Sequence, residues 1–375
     1  MMQDIYKGIE NIIKLELLLK SRNYKNILLV TGKQSFDNVK SIFEPYLNTV
    51  KIIRYSNFSE NPKSEDIYKG INFYNHNKCE AIIAIGGGSV LDMAKLISAY
   101  HDVSKNLESW IKENRIGDSP CELIAIPTTA GTGSESTQFA VVYIDGIKYS
   151  VEHPHILPSL VFLIPELVFS MPEYLSAVTG VDALCQAIES LWSVNSTIES
   201  RNLSQQALKL IWNNLPQAVN KKDKEARENM LLASNLAGQA INITKTTGPH
   251  ALSYGFTTYC NLPHGHAVAL FLPFFVKLHM NINSSNCNDK RGEEWVLSIM
   301  HSIAGELSVE FENLPNKIAD FLKLCNINIH FVDLNISENL FEKAIKGISY
   351  ERLKNNPVSI DELTIKSIYH SDFNK

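Results

Sequence analysis

Four short apolar runs, each ended by glycine or proline or followed by an amphipathic stretch, narrow the first half of this chain to one class of fold. Residues 25–31 lead into Gly32, residues 50–55 form a second run, residues 81–85 meet three glycines, and residues 123–126 stop at Pro127. Continuous apolar segments of this length suit strands buried on both faces. Between them, residues 35–47, 64–75 and 90–100 carry helical patterning. Strands alternating with helices imply an open, doubly wound parallel sheet. After Pro165 the strand signal fades. Helical patterns follow over 175–193, 198–214, 224–244, 267–279 and 293–306, with further pieces near 314–324 and 336–348.

A chain of 375 residues exceeds what one core usually fills. The expected organisation is an α/β domain with a doubly wound parallel sheet over residues 1–167 and an all-α domain over 168–375, divided where Pro165 and Pro172 flank an apolar segment. The polar stretch 281–290 reads as a surface loop. A hydrophobic fraction of 45%, a charged fraction of 20% and a net charge of -5 describe an ordinary globular protein with no attraction to nucleic acid. The most apolar long stretch, 156–171, is broken by Pro158, Pro165 and Glu166, too interrupted to span a membrane. There is no basic-then-apolar leader, and the six cysteines lack metal-type pair spacing, so a reduced, cytoplasmic protein is expected.

Two loops carry the first chemistry. Gly86-Gly87-Gly88-Ser89, with Asp92 one turn on, lies where a strand hands over to a helix. Glycines let backbone amides approach a ligand, and the helix start offers unpaired N–H groups to a phosphate. The loop containing Thr128, Thr129 and Thr132 follows the next strand. Two such loops at neighbouring strand ends suit one extended phosphate ligand and make the first domain a nucleotide-binding one. The second chemistry lies in the helical half. Asp182 and Gln186 stand four apart on one helix face, while His250 and His264 stand fourteen apart, each beside a proline or glycine. Carboxylate, amide oxygen and two imidazoles can together hold one divalent cation.

These segments resemble the iron-containing (group III) alcohol dehydrogenases. The matches are Gly86-Gly-Gly-Ser-Val-Leu-Asp92, Pro127-Thr-Thr-Ala-Gly-Thr-Gly-Ser-Glu135, Gly180-Val-Asp182-Ala and Pro263-His264-Gly265, in the family's order. Within the family, Trp192-Ser-Val-Asn195, Thr244-Lys245-Thr-Thr247 and Pro263-His-Gly-His266 are similar to the phosphonoacetaldehyde reductase branch, which forms 2-hydroxyethylphosphonate. The resemblance implies reversible hydride transfer between a nicotinamide and an aldehyde or primary alcohol, at a cleft between two domains. It implies metal ligation by Asp182, His250 and His264, with Fe²⁺ first and Zn²⁺, Mn²⁺ or Ni²⁺ as alternatives, and a homodimer.

The chain departs from its relatives at three points. Gln186 replaces a usual histidine, and the weaker, harder amide donor should lower affinity for softer metals. Tyr254 replaces a histidine that helps pass a proton; it either acts as an acid or lines the pocket, and His266 competes for the proton role or packs. Gly32 stands where NAD-preferring relatives often place an aspartate, which favours NADPH, or dual use, and leaves NADH open. Lys148 either touches the cofactor or is a solvent-exposed hairpin lysine. A phosphonate needs a cation: Lys245, or Arg201 with Asn195, could supply recognition, or could be a solvated loop lysine and a helix-surface ion pair. The same architecture is similar to dehydroquinate synthase and glycerol-1-phosphate dehydrogenase relatives, which remain rival readings, as does a metal-free cofactor-binding remnant.

Overall fold

The computed structural model describes residues 3–103, 105–371 and 373. They fall into two compact units, Met1–Ser170 and Met171–Lys375. The first contains β1 (Asp4–Lys7), α1 (Ile13–Arg22), β2 (Asn26–Thr31), α2 (Lys40–Leu47), β3 (Lys51–Tyr55), α3 (Ser64–His76), β4 (Ala81–Gly86), α4 (Gly88–Tyr100), α5 (Leu107–Lys112), β5 (Glu122–Pro127), β6 (Phe139–Ile144), β7 (Ile147–Glu152) and β8 (Leu160–Leu163). Six strands pair in the order β1-β8-β5-β4-β2-β3, every pairing parallel. The four expected strands are all present.

Ile27, Leu29, Ile83, Ile85, Ile124, Ile126 and Phe162 share one core cluster with Leu15, Leu19 and Phe43 of the covering helices. Their alternating neighbours Leu28, Val30, Ile82, Ala84 and Ala125 are equally buried, so the sheet is covered on both faces. Truncating any of these isoleucines to alanine should cost about 2–5 kcal/mol. From β2 the chain moves to β3 on one side and then to β4 on the other. The loops after β2, β4 and β5 therefore emerge at the carboxyl ends of three adjacent strands, beside the point where the winding reverses.

Two strands of the six-stranded sheet lie beyond the sequence reading. β1 is four residues long and only partly buried, too short for a periodic signal, and β8 hides within the proline-broken apolar stretch. The separate β6–β7 hairpin turns at Asp145 and Gly146, both with positive φ, the conformation that matches strand twist in a two-residue turn.

The second unit contains α6 (Glu173–Trp192), α7 (Ile198–Asn220), α8 (Lys224–Thr244), α9 (Gly248–Tyr259), α10 (His264–Ala269), α11 (Leu272–Met280), α12 (Glu293–Glu306), α13 (Leu314–Leu324), α14 (Glu338–Ile345), α15 (Tyr350–Leu353) and α16 (Glu362–Ser367). Among the described residues, its one β feature is a bridge between Cys287 and Val358. Local chemistry sets the helix starts: Thr197 and Ser200 form a capping box, and the Asp223 carboxylate accepts from the Ala226 N–H at 2.8 Å. The single helix expected over 267–279 is in fact two. Pro273 lacks the N–H that would continue α10 and sits in the first turn of α11, where none is needed. Among the described residues no helix is long and apolar enough to cross a membrane.

Candidate functional site

Asp182, Gln186 and Glu189 occupy positions i, i+4 and i+7 of α6, so one face of that helix presents two carboxylates and an amide. All three are buried, Glu189 completely. His250 enters from the first turn of α9, behind Gly248-Pro249, and His264 is the first residue of α10. Gly265 explains how α10 approaches α6: a Cβ there would meet the Val178 carbonyl oxygen at 1.9 Å. Only glycine lets the helices close and brings His264 to Asp182. Asp182, His250 and His264 each offer a donor atom within 4.8 Å of the others. His250 Nε2 lies 3.2 Å from Asp182 Oδ1, and the two imidazole rings stand 5.4 Å apart between centroids.

Glu189 is the residue that sequence reasoning missed. Its Oε1 meets His250 Nδ1 in a short contact, while its Oε2 accepts from the Thr247 N–H at 2.6 Å and the Thr247 hydroxyl at 2.9 Å. Trp192 Nε1–H donates to the same hydroxyl oxygen at 2.8 Å. A carboxylate behind a ligand histidine fixes the ring and raises its basicity. The available signal was Glu189 seven residues after Asp182, on the same helical face. Burial drives the His250 pKa down, but Glu189 and Asp182 together outweigh it and push the value up to about 10. Two buried carboxylates flank one imidazole, and a divalent cation taking the place of the Nε2 proton balances their charge. The donor set therefore fits a metal.

Gln186 shares this helix face at 3% exposure, and Tyr254 lies near His264, with ring centroids 6.3 Å apart. His266 does not fit the proton-carrier role. Its Nδ1 lies 2.9 Å from the Tyr174 hydroxyl and its Nε2 2.6 Å from the Asn328 carbonyl, so both nitrogens are engaged in holding α10. Burial lowers its pKa, with the bond to Asn328 opposing, which keeps the ring neutral.

The anion-binding candidates separate. Asn195 is drawn into structure, its amide donating to Asn355 Oδ1 at 3.0 Å and Thr244 O at 3.4 Å. Arg201 lies over the Trp295 ring at 5.8 Å, a contact on the helix surface. Lys245 caps α8, half-buried, with φ of 59°.

In the first unit, a Cβ on Gly87 or Gly88 would come within 3.2 Å of Thr129 and 2.8 Å of Thr132 respectively. The two glycine-containing loops thus lie side by side, and Thr128 N–H bonds to Gly86 O at 3.0 Å. Ser89 Oγ accepts from the Asn61 N–H at 3.3 Å. Asp92, counted with the cofactor loop in the sequence, does not point its carboxylate to an open surface. Instead it ties the loop down: Oδ1 accepts from Ser134 Oγ at 2.7 Å and Oδ2 from the Val141 N–H at 3.0 Å. Burial pushes its pKa up, against Lys95, those two bonds and Lys148. Lys148 stands opposite Tyr143 in the β6–β7 ladder, close enough for its charge to act on Asp92.

Lys95, also unread in the sequence, is fully buried on α4 and donates to Ser134 Oγ and Thr137 Oγ1, each at 3.0 Å, and to Phe139 O at 2.9 Å. Its pKa is pushed down by burial, opposed by Asp92 and Glu135, to about 8. Gly32 also has a partner that went unread. Arg54 donates to Thr31 Oγ1 at 2.8 Å, to the Gly32 and Lys33 carbonyls at 2.9 Å each, and to Asp37 at 3.2 Å. The loop after β2 thus holds an acid after all, Asp37, paired with a cation.

Comparison with known proteins agrees with this geometry. Residues 3–165 match the model of iron-containing alcohol dehydrogenases, and residues 176–373 match that of the Fe-containing alcohol dehydrogenase family, C-terminal. The chain is 28% identical to alcohol dehydrogenase 4 of Schizosaccharomyces pombe, over 94% of this chain and 83% of that one. It is 30% identical to phosphonoacetaldehyde reductase of Streptomyces viridochromogenes, over 76% of this chain and 74% of that one. The solved sulfoacetaldehyde reductase of Bifidobacterium kashiwanohense in complex with NAD+ superposes with a TM-score of 0.87 at 27% identity, covering 98% and 96% of the two chains. A nucleotide-type sheet with paired glycine loops, followed by a helical unit that gathers Asp182, His250 and His264, identifies this chain as a member of the iron-containing alcohol dehydrogenase family, oxidoreductases acting on alcohols or aldehydes.

Proposed function

We propose that this chain reduces phosphonoacetaldehyde, or a closely similar anionic aldehyde, to the primary alcohol with NADPH or NADH. The convergence of Asp182 and His250, with Glu189 behind the imidazole, carries the reaction class. Likeness to reductases of phosphonoacetaldehyde and sulfoacetaldehyde supports the anionic substrate. The broader likeness to alcohol dehydrogenase 4, which extends over more of the chain, keeps a general primary-alcohol dehydrogenase as the second reading.

Asp182, His250 and His264 would hold the cation, with the Gln186 amide oxygen as a fourth donor. When bound, a divalent ion polarises the substrate carbonyl and stabilises developing negative charge on its oxygen. Glu189 accepts from Nδ1–H of His250 and so leaves the Nε2 lone pair on the side of Asp182. Tyr254, whose ring lies 6.3 Å from that of His264 between centroids, would give its phenolic proton to the product oxygen. Backbone amides of the Gly86–Gly88 loop and the start of α4, with Ser89 and Thr128, Thr129 and Thr132, bind the pyrophosphate. Lys148 serves the same ligand.

Oxidation of NADPH and of NADH is followed with phosphonoacetaldehyde, sulfoacetaldehyde and propionaldehyde, after loading with Fe²⁺, Zn²⁺, Mn²⁺ or Ni²⁺. Higher kcat/KM for an anionic aldehyde is expected. Preference for propionaldehyde would establish the second reading, and no net oxidation with any aldehyde would reject both.

A further inference from the structure

The link from α8 to the metal-binding helix α9 is three residues long, and its first residue has an unusual backbone. Lys245 has φ of 59° and ψ of 178°. Asn23 and Asn106 have nearly the same φ, but their ψ values of 34° and 38° place them in the ordinary left-handed region. The combination at Lys245 belongs to a region that essentially only glycine enters without strain.

The surroundings fix this conformation from every side. Lys245 N–H donates to Ile241 O at 2.8 Å, and its carbonyl accepts from Thr244 Oγ1 at 2.8 Å. The Thr244 carbonyl accepts from Ser193 Oγ at 3.1 Å and from Asn195, and the Thr246 carbonyl from Asn355 Nδ2 at 3.0 Å. Thr247 N–H is held by Glu189, the carboxylate behind His250. A pinned, strained backbone would be relieved by glycine, so the lysine side chain is kept at the expense of folding. Strain retained in this way, five residues before His250, points to a functional side chain. Two other cations of the helical unit, like Lys245 itself, have partners. Arg201 lies over Trp295, and Arg291 is bonded to Ser193, Ser196 and Asp289.

We infer that Lys245 is the specificity-determining residue for the anionic group of the substrate, its ammonium recognising a tetrahedral phosphonate or sulfonate. This rests on the anionic-aldehyde reading above. An ammonium supplies a mobile point charge with three donors, suited to either oxyanion. The test compares wild type with Lys245→Gly and Lys245→Arg on phosphonoacetaldehyde, sulfoacetaldehyde and propionaldehyde, together with thermal unfolding. For Lys245→Gly, kcat/KM on the anionic aldehyde should fall at least about tenfold further than on propionaldehyde, mainly through KM. Its unfolding midpoint should rise by about 2 °C as strain is released. Lys245→Arg should recover part of the anionic preference. The larger loss on phosphonoacetaldehyde or on sulfoacetaldehyde identifies the headgroup. Equal losses on all aldehydes, or a lower midpoint for the glycine variant, would overturn the assignment. Wild type that reduces propionaldehyde but neither anion would instead overturn the substrate reading, and this inference with it.

Discussion

The two units build their candidate sites from opposite materials. In the first, the ligand-facing surface is backbone: glycines bring amides forward, and charged side chains work from beneath, with Lys95 and Asp92 fastening the 134–141 segment to α4. In the second, side chains form the site itself, and charge is balanced by charge, with Asp182 and Glu189 on either side of His250. A site made of backbone tolerates changes that leave the loop in place. A site made of buried charges should fail when one of them is removed.

That contrast can be broken most directly at Asp182. Asp182→Ala should lower kcat/KM by about a thousandfold or more, since stabilisation worth several kcal/mol goes with the cation. Metal analysis should show the ion lost and dinucleotide affinity kept; loss of both together would erase the distinction between the units. Lys95→Met should act on the other side. It removes a buried ammonium that is bonded to Ser134, Thr137 and Phe139 and offsets the Asp92 charge, and should cost about 3–5 kcal/mol of stability in denaturant unfolding. Bound metal should stay unchanged while the KM for dinucleotide rises.

Glu189→Ala sharpens the comparison, because Glu189 is out of reach of the aldehyde yet acts on a ligand. Metal affinity should fall about 10–100-fold in chelator competition, with Glu189→Gln retaining part of it. The smallest effect at neutral pH concerns His279, buried behind Trp192 with ring centroids 4.3 Å apart and bonded to Asn356 at 3.1 Å. Burial, opposed by the Asn356 bond, lowers its pKa to about 3. Between its ordinary value near 6.5 and 3, the unfolded chain takes up a proton that the folded one refuses. Stability should therefore hold above about pH 6.5 and fall as pH drops toward 3, by at most about 1.4 kcal/mol per pH unit from this group. His279→Phe should flatten that slope in acid unfolding curves; an unchanged slope would assign it elsewhere.

Much of this architecture is legible along the chain. β2, β3, β4 and β5 announce themselves because strands buried on both faces must be apolar throughout, and α8, α12 and α13 because each carries its own caps or periodic face. β1 escapes because a four-residue edge strand is defined by its partner rather than its own pattern, and the break between α10 and α11 escapes because an apolar period runs across it. The sequence leaves the roles of His266, Asp92, Arg201 and Asn195 open for a related reason. Residue type shows that a group can titrate or donate, while its partner, whether Tyr174, Ser134, Trp295 or Asn355, lies anywhere from about forty to a hundred and sixty positions away.

Amino-acid order alone determined the strand–helix alternation and the two glycine loops, because periodicity and backbone permissiveness are local properties, while the resemblance carried by its motifs implied the Asp182, His250 and His264 set. Only the folded chain decided that Glu189 stands behind His250, that Lys95 anchors a loop from below and that Lys245 is held in a glycine conformation. Those facts depend on burial and on contacts between distant segments, which exist only after the chain has closed on itself.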